Sequence, residues 1–134
     1  MKQVASGPFD VTLVAQEPDN PRAQGAGLGR MSLDKRFHGD LQATSEGEML
    51  ALRGARADSA GYVAIERVTG TLHGRSGSFA LQHSGTMDRG TSSLSVTVIP
   101  DSGSGELEGL TGSMAIDIGP GGAHAYRFEY TLGD

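Results

Sequence analysis

Apolar and polar residues alternate with a period of two along most of this chain, the period of a strand with one buried face. Phe9, Val11 and Leu13 alternate with Asp10 and Thr12, which predicts a first strand over residues 8–16. Residues 17–27 have no period and contain two prolines and two glycines, so a loop comes next that is either disordered or part of a binding-site rim. Met31, Leu33 and Phe37 share one face of a second strand over residues 28–39, and Lys35 falls on that same apolar face. A third strand, residues 40–54, is interrupted at Ser45-Glu46-Gly47-Glu48, where a turn or bulge changes the facing of residues 49–52.

The longest alternating stretch, residues 62–87, reads as a β-hairpin turning at Gly74-Arg75-Ser76-Gly77. In that register Leu72 faces Phe79, Val68 faces His83 and Glu66 faces Gly85. Leu72, Val68, Phe79 and Leu81 mark the buried side, and Glu66 and His83 lie on it. Leu94, Val96 and Val98 predict a strand over residues 92–99, and residues 106–110 a helical turn. Met114, Ile116 and Ile118 predict another strand, and His124, Tyr126, Phe128, Tyr130 and Leu132 one face of the last. No stretch is long enough for a substantial amphipathic helix. Seven or eight antiparallel strands joined mostly by short connections predict an all-β fold, an up-and-down barrel or a sandwich, and the long consecutive hairpins favour the barrel, closed and antiparallel, as one domain over residues 1–134. A barrel of about eight strands holds either packed side chains or one small ligand.

Composition narrows the function classes. Glycine, at 21 of 134 residues, is about twice the usual ~7%, and interior strand glycines suit the bends and corners of closed barrels. The 11 basic residues are scattered among 16 acidic ones, which argues against nucleic acid or an anionic membrane as partner. The absence of cysteine excludes disulfides and thiolate metal sites. No apolar stretch approaches the ~20 residues of a membrane-spanning helix, and no signal-peptide pattern opens the chain, so a soluble cytoplasmic protein is expected.

Candidate chemistry centres on Glu66 and His83. As diagonal neighbours roughly 7–8 Å apart at the backbone, they are within side-chain reach of one another. Burial raises a glutamate's pKa and histidine titrates near neutrality, so either is a candidate catalytic base; the alternative is a mutually satisfied structural pair. Tyr62, Tyr126 and Tyr130 fall on inward faces, as core residues or as hydroxyls that orient a ligand. Lys35 either extends its stem to a barrel end or contacts a ligand. His124 is placed at a rim, while His38 and His73 face outward. No histidine spacing forms a ligand pair, so neither a metal nor a cofactor is expected. The glycine-rich runs Gly25-Ala26-Gly27-Leu28-Gly29 and Gly103-Ser104-Gly105 lack the strand–helix setting of a phosphate loop.

The stretches Lys35-Arg36-Phe37-His38-Gly39-Asp40-Leu41, Tyr62-Val63-Ala64-Ile65-Glu66-Arg67, Gly70-Thr71-Leu72-His73-Gly74-Arg75-Ser76-Gly77-Ser78-Phe79 and Gln82-His83-Ser84-Gly85 resemble those of the bacterial proteins grouped as domain of unknown function 3224. The segments Val98-Ile99-Pro100-Asp101-Ser102-Gly103-Ser104-Gly105-Glu106-Leu107, Gly109-Leu110-Thr111-Gly112 and Tyr126-Arg127-Phe128-Glu129-Tyr130 extend the resemblance over nearly the whole chain. It implies an eight-stranded barrel similar to plant allene oxide cyclases and dirigent proteins, often dimeric, without a settled activity. The plant enzyme's own sequence pattern is absent, so no catalytic residue is carried over from it.

The expected function is a cofactor-free acid/base enzyme, an isomerase, cyclase or eliminating lyase acting on a largely apolar or amphipathic small molecule. Glu66 or His83 transfers the proton; Lys35, Tyr62, Leu72, Phe79, Leu81, Tyr126, Phe128 and Tyr130 bind the substrate. The alternatives are a lipocalin-type carrier of a hydrophobic ligand and a dimeric structural module with a filled interior.

Overall fold

The computed structural model of the chain describes residues 2–133, apart from the side chain of Gln24. Among the described residues nine strands occur in the order β1 (Lys2–Gln16), β2 (Leu28–Phe37), β3 (Leu41–Arg53), β4 (Ala60–Leu72), β5 (Arg75–Asp88), β6 (Thr91–Val98), the two-residue β7 (Ser104–Gly105), β8 (Thr111–Ile118) and β9 (His124–Thr131). All pairings are antiparallel. Neighbouring strands run β4-β3-β2-β1-β9-β8-β6-β5, and the β4–β5 hairpin joins the two ends, which closes an eight-stranded barrel. β7 is a short addition against Gly77 and Ser78 of β5.

β1 shows how the sheet closes. Its first half, Lys2 to Phe9, pairs with β9, and its second half, Phe9 to Gln16, pairs with β2. This stagger tilts the strands, as closure of a barrel requires. The seam between β6 and β8 is thin by contrast, with one ladder pair, Thr97 and Ser113. The loop at residues 17–27 contains a single helical turn, α1 (Pro21–Gly25), started by the Asn20 side chain accepting from the Arg22 backbone N–H at 3.0 Å. Pro18, Asp19, Asn20 and Ala23 lie against the outer wall beside Leu50, Val63 and Ile65.

Two sequence expectations are corrected. The β4–β5 hairpin turns at His73-Gly74, not over residues 74–77. Both turn residues have positive φ, 47° and 80°, which matches the twist of a two-residue hairpin. Leu72 therefore opposes Arg75, Val68 opposes Phe79 and Glu66 opposes Leu81. Each partner moves by an even number of residues, so every side chain keeps its face. The expected break in the third strand is also absent: β3 pairs continuously with β4 from Leu41 to Arg53. Gly47 makes the continuity possible. It opposes Glu66, and a Cβ there would lie 2.1 Å from the Ile65 carbonyl oxygen and 2.7 Å from the Glu66 Cα.

The interior is divided along the barrel axis. One half is solid: Phe37, Leu41, Val68, Leu72, Phe79, Leu81, Met114, Tyr126, Phe128 and Tyr130 are buried there. Phe128 stacks between Phe79 and Tyr130, with ring centroids 5.6 and 5.3 Å apart. Leu107 and Leu110, both 1% exposed, come from consecutive turns after β7 and plug this end. Each fully buried side chain of this size contributes about 1.5–3 kcal/mol. The other half is open.

Gly47→Ala is expected to destabilise the fold by about 2–3 kcal/mol, because backbone and not a flexible side chain occupies the space. Gly25→Ala, where a Cβ meets no described heavy atom within 4 Å, is expected to change stability by less than about 0.5 kcal/mol. Urea unfolding of the two variants checks the contrast; equal midpoints would contradict the close approach at Gly47.

Candidate functional site

Where the packed half ends, four consecutive strands each direct one polar side chain inward: Lys35 from β2, Ser45 from β3, Glu66 from β4 and His83 from β5. All four are buried, at 7%, 1%, 0% and 3% exposure. The cross-strand register assembles them. Lys35 opposes Ser45, Gly47 opposes Glu66, and Ala64 opposes His83, two residues from Glu66 on the same face. Glu66 Oε2 accepts from Lys35 Nζ at 2.8 Å and lies 2.5 Å from His83 Nε2, while Oε1 accepts from the Ser45 hydroxyl at 2.7 Å. The Lys35 ammonium also sits against the rings of Phe9 and Phe37, 5.1 and 5.7 Å from their centroids.

These contacts reverse one sequence expectation. Burial pushes the Glu66 carboxyl upward, but the hydrogen bond from His83, the charge and hydrogen bond of Lys35 and the Ser45 hydroxyl outweigh it and hold the group at about 2. Glu66 is thus an ionised acceptor at neutral pH. Lys35 does not extend to a barrel end either; its charge is spent on Glu66.

An ionised Glu66 accepts only, so the proton it shares with His83 belongs to Nε2; in the neutral tautomer this leaves Nδ1 as the acceptor. Nδ1 faces the Tyr62 hydroxyl at 3.4 Å. Burial, and then the negative charge of Glu66, raise the Tyr62 pKa, so the phenol keeps its proton. The Tyr62 ring lies across Gly85, its cross-strand partner, where a Cβ would come within 2.5 Å of the ring. A glycine at this position gives the ring its place beside His83.

Beyond this array lies a cavity of about 590 Å³ that opens at the unfilled end, within the ~300–1,000 Å³ range of small-ligand sites. Lys35, His83 and Tyr62 form its polar floor; Phe9, Val11, Leu33, Met49, Ala51, Leu94 and Ile116 are among its walls. His124 stands at its edge, 5.1 Å from Phe9 between ring centroids. Glu66 does not border the cavity.

Six expected substrate-binding residues are placed elsewhere. Leu72, Phe79, Leu81, Tyr126, Phe128 and Tyr130 all belong to the packed half, and none borders the cavity. Tyr126 accepts from the Leu41 N–H at 2.8 Å and donates to the His38 carbonyl at 2.7 Å, tying down the β2–β3 turn. Tyr130 bonds the ring of His73, which sits in the hairpin turn. Periodicity identifies an inward face but not the position along the barrel axis, which is why alternation alone groups these residues with the site. Ser45 escapes the sequence reading because its strand reads as broken there; uninterrupted alternation from Leu41 through Ala43 places it inward. Among the described residues no three His, Cys, Asp or Glu side chains converge as a metal site, and no helix is long and apolar enough to cross a membrane.

The family model described as "Protein of unknown function (DUF3224)" matches residues 5–130. The chain belongs to the DUF3224 family. A crystal structure of a DUF3224 protein with unknown function from Shewanella oneidensis MR-1 is 47% identical, with a TM-score of 0.91 over 100% of this chain and 99% of that one. No protein with a curated functional description matches this DUF3224 chain.

Removing either partner of the buried pair leaves the other charge uncompensated. Lys35→Met and Glu66→Gln are each expected to cost about 3–5 kcal/mol, and the double variant clearly less than their sum. Because the folded Glu66 carboxyl lies below its ordinary value of 4.5, its stabilisation is complete above that pH and is lost as pH falls toward 2. The shift corresponds to on the order of 3 kcal/mol. Denaturant titrations between neutral and acid pH should show this loss in the wild type and not in the double variant.

Proposed function

We propose that the cavity is the active site of a cofactor-free acid/base enzyme acting on a small, largely apolar molecule. His83 is the base. The observation that carries this reading is its setting: Nε2 is held 2.5 Å from a fully buried carboxylate, while the opposite nitrogen faces Tyr62 at the cavity floor. An imidazole with one nitrogen fixed by a carboxylate is oriented and kept in one tautomer, and the imidazolium formed on proton uptake is stabilised by that same carboxylate. Glu66 is then a positioning residue. Tyr62, with its proton retained, donates to charge developing on the substrate, and the Lys35 ammonium, its charge balanced by Glu66, offers a further hydrogen-bond donor beside it. Apolar walls limit the water that competes with these groups. Such a floor suits isomerisation, cyclisation or elimination, in which a proton leaves one atom and another returns without redox chemistry.

Nitrobenzisoxazole tests the reading, because its ring opens when a base removes its carbon-bound proton and the product is a coloured phenolate. The wild type is expected to accelerate the opening saturably, by about 10²–10⁴-fold over buffer. His83→Ala should return to background and Tyr62→Phe should retain part of the rate. A wild-type rate no higher than that of His83→Ala removes the catalytic reading. The open apolar mouth, flanked by exposed Leu94 and Ile118, favours a second reading, a carrier of the same class of molecule. Native mass spectrometry of the freshly purified protein then shows a retained ligand without conversion.

A further inference from the structure

We infer that the cavity takes a neutral amphipathic ligand, head first, with a carbonyl-type oxygen at the floor and a hydrocarbon body in the mouth. The inference rests on the cavity being a ligand site, as in the reading above, and adds the chemical class. Charge decides the head. Among the described residues lining the cavity, Lys35 is the one with a formal charge, and Glu66 compensates it at 2.8 Å. A ligand carboxylate would therefore place an unpaired negative charge at the closed end of an apolar cavity, beside a pair already balanced. A ligand ammonium would meet Lys35 itself. Either charge loses its water without gaining a free counter-ion.

Hydrogen-bonding capacity decides the type of neutral head. The Lys35 ammonium has three protons; its one described hydrogen bond goes to Glu66, and the Phe9 and Phe37 rings beside it offer no lone pairs. The Tyr62 hydroxyl makes only a long 3.4 Å contact with His83. Two donors thus border the cavity, Lys35 with protons to spare and Tyr62 with a single proton that a ligand oxygen can take over from the long contact to His83, and a carbonyl oxygen, which has two lone pairs and no charge, matches both. A hydrocarbon body matches the rest, since Leu13, Met49, Ala51, Met87, Leu94 and Ile118 line the way out. Ketones, aldehydes, esters and lactones on an alkyl or alicyclic frame form the implied class.

Calorimetric titration of the wild-type protein at neutral pH with methyl nonyl ketone and with decanoate, two chains of similar length and different heads, tests the inference. The ketone is expected to bind with a Kd lower than that of decanoate by about tenfold or more. Ala51→Phe, which adds a ring to the cavity wall, should weaken the ketone, and Lys35→Met/Glu66→Gln, which keeps the floor neutral but removes its donor, should do so as well. Equal affinities, tighter decanoate binding, or ketone binding that survives Ala51→Phe would overturn the inference. Absence of binding by either compound overturns it together with the carrier reading. Ketone preference without nitrobenzisoxazole opening supports this inference and removes the catalytic reading alone, whereas ring opening together with a decanoate preference removes only the ligand class.

Discussion

Keeping the Glu66 carboxylate ionised inside an apolar barrel takes donors from three neighbouring strands: Lys35 on β2, Ser45 on β3 and His83 on β5. An isolated carboxylate in such surroundings would take up a proton or draw in water. With its partners it becomes a fixed negative point that orders the surrounding polar side chains. The Lys35 ammonium is held at the floor by it, and so is the tautomer of His83. A hydrophobic set of similar volume would pack as well or better, since buried ion pairs rarely improve stability over well-packed apolar residues. What the array adds is a directional polar floor under an otherwise greasy cavity.

The placement of that floor results from how the barrel is filled. Aromatic stacking around Phe128 and the two leucines after β7 make one half solid. The other half has no comparable plug, and the thin β6–β8 seam leaves Leu94 and Ile118 exposed at its edge. The charged array lies at the boundary between the two. Glu66 faces the solid side and is sealed, while His83, Lys35 and Tyr62 border the open side. One buried pair thus acquires two environments, an inner one that sets its charge state and an outer one that borders the cavity.

Glycine lets the wall come close enough for this arrangement. At Gly47 the neighbouring strand's backbone occupies the volume of a side chain, and this happens directly opposite Glu66. At Gly85 the missing side chain is replaced by the Tyr62 ring, which brings the phenol to His83. Both are cases in which a strand's ordinary preference for side chains gives way to the demands of a closed sheet and a cross-strand aromatic.

What this chain determined by itself was the face of each residue. Strand parity depends only on alternation, so Glu66, His83, Lys35 and Tyr62 were legible as inward even with the hairpin register displaced, because the displacement was even. Alternation made the all-β class legible, and the consecutive hairpins together with the family resemblance favoured a barrel over a sandwich. Three things were decided only by the tertiary structure. Ser45 joined the array because β3 stays continuous through Gly47, a matter of backbone approach between strands. Which inward residues line a cavity and which fill a core depended on the plug at Leu107 and Leu110, far from them in sequence. The ionisation of Glu66 depended on charges contributed by other strands: burial alone pushes a carboxylate up, and only the assembled neighbours turn that into a group near 2. Alternation is a local property of the chain, whereas depth along the barrel axis and electrostatic environment are sums over strands that meet only when the sheet closes.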